Sequence, residues 1–87
     1  MQLIACKNTG NIQYDTHIDQ QKIHLKLGKF SPEKVFFDWR SQVLSLFFMD
    51  DRKNKGYVLE LKPTMPLSDC DLETKDNGEV IFNYKTF

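Results

Sequence analysis

Apolar and polar residues alternate along most of this chain, with one dense apolar interruption in the middle. Ile12, Tyr14, Thr16 and Ile18 alternate with Gln13, Asp15 and His17, the period of a half-buried strand. Ile23, Leu25 and Leu27 alternate with Lys22, His24 and Lys26 up to Gly28. Residues 2–6 are short and apolar, and Asn8-Thr9-Gly10-Asn11 reads as a turn in which Gly10 or an Asn takes positive φ. Joined by short loops, these three segments predict an N-terminal three-strand antiparallel meander. Tyr57, Leu59 and Leu61 alternate with Val58, Glu60 and Lys62 as a fourth strand. Pro63 and Pro66 do not fit a central strand, so residues 67–76 read as a mostly acidic loop with a short edge strand around Leu72. Asn77-Gly78 signals a two-residue hairpin turn with both residues tolerant of positive φ. A last strand follows, with Val80, Phe82 and Tyr84 on one face.

The interruption is Ser31 to Met49, which holds ten large apolar side chains, including the only tryptophan. At helical spacing Lys34, Asp38, Ser41, Gln42 and Ser45 fall within one arc of about 100°, and nine apolar residues occupy about 220° of the remainder. Ser31 suits an N-cap, Pro32 the first helical position and Glu33 the positive end of the dipole. These signals predict a helix near residues 32–49. Val, Phe and Trp nevertheless favour strands, and Leu44, Leu46 and Phe48 alternate. In that case Val43–Met49 would pair with Tyr57–Leu61, and the fold would be an all-β barrel or sandwich. The expected fold class is α+β, an antiparallel sheet of five to six strands packed against one helix.

Size and charge narrow the functional classes. Eighty-seven residues make a single domain, 1–87, with a modest core. The 40% hydrophobic and 13% aromatic content excludes disorder. Twelve bases balance twelve acids, which disfavours a dedicated nucleic-acid binder. Cys6 and Cys70, with no export signal, read as reduced cytoplasmic thiols. The longest uninterrupted apolar run, Leu46 to Met49, is too short to cross a bilayer.

No stretch carries a catalytic, cofactor-binding or metal motif. Cys6, His17, His24 and Cys70 lack the close pairs that zinc sites use. Asp69 and Asp71 flank Cys70 and would raise its thiol pKa, opposing nucleophilic reactivity. The acidic stretch begins like a calcium loop, but Thr74 stands in the turn-glycine position and Val80 in that of the bidentate Glu. These readings predict a protein that is not an enzyme and uses no cofactor.

The central helix would present about twice the apolar arc that one sheet can cover, which points to a protein partner. The expected interface is Trp39 and Arg40 as anchors, with Asp69, Asp71, Glu73, Asp76 and Glu79 facing a basic surface. The function expected on that basis is a stoichiometric inhibitor, of the toxin-immunity (antitoxin) or phage-encoded anti-defence type, occluding a partner such as a basic nuclease or toxin. A homodimer is a further possibility. The alternative is a small nucleic-acid-binding or regulatory domain using Lys22, Lys26, Lys29, Arg52, Lys53 and Lys55. Its basic strand lacks the aromatic stacking positions such sheets need.

Overall fold

A computed structural model describes residues 1–87. It contains eight strands: β1 (Leu3–Asn8), β2 (Asp15–Asp19), β3 (Lys22–Lys26), β4 (Lys34–Asp38), β5 (Val43–Asp50), β6 (Lys55–Pro63), β7 (Leu67–Thr74) and β8 (Val80–Thr86). They form two antiparallel four-stranded sheets, ordered β1-β6-β5-β4 (sheet A) and β2-β3-β8-β7 (sheet B). The sheets share one core, in which Leu44, Leu46, Phe48, Leu59 and Leu61 meet Ile23, Leu25, Val80 and Phe82. The fold is thus an all-β sandwich, and the expected α+β class is wrong.

The central segment is the reason. Instead of a helix over 32–49, residues 34–50 form the β4–β5 hairpin, with Val35 opposite Leu46 and Phe37 opposite Leu44. Asp38, Ser41 and Gln42, three of the five residues of the polar arc, belong to the hairpin and its turn. The Asp38 carboxylate accepts hydrogen bonds from the backbone N–H of Arg40 (2.9 Å) and Ser41 (3.4 Å), and Gln42 closes the turn at φ 58°. A polar loop between two apolar strands had imitated the polar stripe of a helix. β-Branched and aromatic propensity then decides the outcome, and the alternation of Leu44, Leu46 and Phe48 gives the inward column of β5. β5 pairs with β6 from Leu44–Leu61 to Asp50–Lys55.

Three smaller expectations also change. The N-terminal meander does not exist: β2 and β3 form a hairpin, but β1 leaves them and pairs with β6 in the other sheet. Residues 67–74 are an eight-residue edge strand rather than a loop, with Leu67 fully buried and Leu72 half-buried against the core. Asn77-Gly78 lies in a longer loop in which Gly78 alone takes positive φ, at 87°, while Lys75 N–H donates to the Glu79 carbonyl. The chain has no helix long and apolar enough to cross a membrane.

Candidate functional site

With the core between the sheets, each sheet offers an outer face, and the two faces differ in chemistry. On sheet A the outward positions of β5 are Val43, Ser45, Phe47 and Met49, while Phe36 on β4 and Val58 on β6 stand beside them. Phe36 and Phe47 stack at 5.8 Å with their planes 17° apart, yet each keeps nearly two-fifths of its surface exposed. Met49 is also exposed, and Ile4 is exposed on the same face at the β1 edge. Ser45, opposite Phe36 and two residues before Phe47, is only 7% exposed although it points outward, so the bulky neighbours already shield the sheet beneath them. Lys34 Nζ lies 5.5 Å from the Phe36 ring centre, within cation–π range. An antiparallel sheet that faces water ordinarily alternates apolar-in with polar-out; this face does not.

The anchors expected at Trp39 and Arg40 sit in the β4–β5 turn at one corner of this sheet. Trp39 is 48% exposed and stands edge-on to Phe37, 4.8 Å between ring centres. Gln42 ties the turn down at both ends of its side chain. Its Nε2 donates to the Trp39 carbonyl, and its Oε1 accepts from Leu67 N–H at 2.7 Å. That second bond brings the turn against the start of β7. Hydrogen bonds from the Arg40 and then the Ser41 backbone hold the exposed Asp38 carboxyl below its ordinary pKa.

Sheet B is charged on its outer face. Asp69, Asp71 and Glu73 project from β7 opposite Lys85, Asn83 and Ile81 respectively. At strand rise their Cα atoms are spaced about 6.8 Å apart. The structure therefore aligns three of the five predicted acids. Asp76 lies apart in the following turn, and Glu79 turns toward β3, where it accepts from His24 Nδ1 at 2.9 Å. That hydrogen bond is the chief cause lowering the Glu79 pKa; desolvation opposes it, and the neighbouring Lys75, His24 and Lys26 assist it.

The basic residues of the alternative reading do not converge. Lys22 and Lys26 flank His24 on the outer face of β3, directly opposite Asp19 and Asp15 of β2, and cross-strand acids offset their charge. Lys29 lies in the β3–β4 connection. Arg52 and Lys53 lie in the β5–β6 turn of the other sheet and Lys55 opens β6, its Nζ 5.7 Å from the Tyr57 ring centre.

The four residues weighed as metal ligands are scattered as well. His17 and His24 are a cross-strand pair, 6.2 Å between ring centres, because the tight β2–β3 turn folds a seven-residue separation onto itself. Cys6 sits in a bulge of β1 on sheet A, and Cys70 faces inward on β7. No three His, Cys, Asp or Glu side chains lie close enough to share an ion. Burial, and then the charges of Asp69 and Asp71, push the Cys70 thiol up to about 11. It lines a shallow cleft of about 200 Å³ with Gln21, Asn83, Tyr84 and Lys85, below the roughly 300 Å³ at which ligand pockets begin.

Sequence reasoning missed Phe36, Phe47, Met49 and Ile4, whose exposure sets the outer face of sheet A apart. The signal was present in strand parity: once Leu44, Leu46 and Phe48 point inward, Phe47 and Met49 must point out. Comparison with protein-family models, with curated proteins and with solved structures finds no match for this chain.

Proposed function

We propose that this protein is a non-enzymatic binding module that acts in the cytoplasm as a stoichiometric inhibitor, of the toxin-immunity or anti-defence type, by occluding a surface of another protein. The original ground for a partner, a helix with more apolar circumference than its sheet could hide, is gone. A different observation takes its place: Phe36, Phe47 and Met49 form an apolar strip on a sheet face that water would otherwise cover. Contiguous exposed apolar patches mark interaction surfaces, and aromatic and Arg residues carry a disproportionate share of interface energy. Trp39 and Arg40 lie in the β4–β5 turn at the corner of the same sheet, Trp39 edge-on to the inward-facing Phe37. The β7 ladder of Asp69, Asp71 and Glu73 supplies steering toward a basic partner, an effect on association rate more than on final affinity.

The test is affinity capture from the native cell, followed by binding measurements with the purified partner. The wild-type chain retains a heterologous protein at one-to-one stoichiometry. The double variant Phe36→Ser/Phe47→Ser binds it at least tenfold more weakly. Asp69→Asn/Asp71→Asn/Glu73→Gln slows association and flattens its salt dependence. Recovery of no heterologous protein, or a partner bound equally well by the phenylalanine variant, overturns the proposal.

A further inference from the structure

A sandwich of two open sheets leaves four edge strands, and an unpaired edge is a template for another strand. A second copy related by a two-fold axis perpendicular to the sheet must place outward residues opposite outward residues. Charge then decides which edges accept a copy. On β7 the outward set is Asp69, Asp71 and Glu73, so every such register sets acid against acid. On β2 the outward set is Asp15, His17 and Asp19, and pairing about His17 opposes Asp15 to Asp19. β1 is interrupted by a register shift between Ala5 and Lys7. The fourth edge, β4, reads Lys34-Val35-Phe36-Phe37-Asp38, and no strand pairs its outer side.

From this pattern we infer that β4 is a homodimer seam, on which a second copy of this chain pairs antiparallel about Phe36. In that register Lys34 lies opposite Asp38 of the second copy, twice by symmetry, and Phe36 meets its own counterpart. Opposite charges and aromatic pairs stabilise directly opposed positions. Sheet A becomes a continuous eight-stranded sheet whose outer face carries a row of four rings, Phe47 and Phe36 from each copy. β7 is the strand of the other sheet that approaches β4, and its acids point outward, away from sheet A. Five residues of strand pairing place the interface at the low end of the size range, below about 1,200 Å², so the dimer is concentration-dependent. The inference stands apart from the inhibitor reading, because it is tested on the purified chain alone.

Sedimentation of the wild-type chain across a wide concentration range shows a monomer–dimer equilibrium that weakens with salt. Lys34→Glu turns two attractive pairs into two repulsive ones and weakens the dimer by about tenfold or more. Lys34 is exposed, so this variant keeps its fold. Register is tested by oxidation in a Cys6→Ser background. Phe36→Cys places the two thiols across the axis, within disulfide reach, and cross-links the dimer. Lys34→Cys leaves its thiols about 13 Å apart along the strands and does not. A monomer at all concentrations, a Lys34→Glu dimer as tight as wild type, or cross-linking as efficient through Lys34→Cys as through Phe36→Cys each overturns the inference.

Discussion

Truncating Leu46 and truncating Phe47 should have very different consequences, although the residues are neighbours and both are large and apolar. Leu46 has no exposed surface and lies in the inward column of β5, opposite Val35 and Leu59. Phe47 points out of the sandwich, 39% exposed, with the Phe36 ring as its main neighbour. Leu46→Ala removes buried methyl groups and leaves a cavity, a loss of about 3 kcal/mol. Phe47→Ala forfeits one offset aromatic stack and part of its contact area, about 1 kcal/mol. In a domain of this size each kcal/mol lowers Tm by about 4–8 °C, so the expected drops are about 12–24 °C and about 4–8 °C. Urea unfolding followed by Trp39 emission, with Trp39 edge-on to Phe37, measures the difference as a change in midpoint at constant slope. On a helix the two residues would have shared one apolar arc and cost similar amounts. Equal losses, or a larger loss for Phe47, would refute the alternation on which the fold rests.

Three further outcomes follow from particular contacts. The Glu79 carboxyl is held below its ordinary pKa chiefly by the His24 hydrogen bond. The stability it contributes is therefore present above the unfolded carboxyl pKa and lost as pH falls through the folded one. The Tm gap between wild type and Glu79→Gln, measured by thermal melts across a pH series, should accordingly close on acidification. Gly78 combines φ 87° with a site where a Cβ would lie 2.6 Å from Ser31 Oγ, whereas Gly28, at φ 66°, has open space around it. Gly78→Ala should destabilise by about 2 kcal/mol and Gly28→Ala by about 1 kcal/mol, read by denaturant titration. Cys6 is exposed while Cys70 is half-buried with its thiol pKa near 11. At pH 8 an alkylating reagent should modify Cys6 first, with mass spectrometry assigning the site, and Cys70 should react at comparable rate only on unfolding.

The strands around the middle were legible because their alternation is clean. Ile23 and Leu25, Leu59 and Leu61, and Val80 and Phe82 each lie on the buried face their period assigns. The middle was misread because its two strands carry apolar residues on both faces, so the period of two is blurred on the very face of interest. Phe36 and Phe47 filled gaps in the apolar arc of the helical wheel, and the polar turn at Asp38–Gln42 supplied most of its polar side. β7 was misread for the opposite reason. Asp69, Asp71 and Glu73 alternate with Cys70 and Leu72, but one half-buried cysteine and one half-buried leucine are a thin apolar signal beside three acids. An edge strand needs only one side of its backbone paired and little inward volume, so composition alone resembles a loop. Strand order was beyond reach from local pattern, since β1 and β2 are consecutive yet belong to different sheets.

The misread acids and the misread aromatics are connected through the problem that any open sandwich must solve. Four free edges invite uncontrolled strand addition. The outward acids of β7 repel a second copy of themselves in every face-preserving register, those of β2 do so when paired about His17, and the β1 bulge breaks the ladder on the third edge. Lysine and aspartate at the two ends of β4 do the reverse, because a two-fold axis through Phe36 converts them into mutual partners. Charge on two edges and a bulge on a third thus oppose association, and charge on the fourth selects one orientation of it. A dimer formed there consumes the β4 edges and leaves only repulsive or broken ones, so assembly stops at two copies rather than growing into a fibre. Neutralising the gatekeepers tests that logic: Asp69→Asn/Asp71→Asn/Glu73→Gln should raise light scattering at high concentration, while Lys34→Glu should not. If the acidic triple variant stays as free of larger species as wild type, the edge charges are not what limits growth.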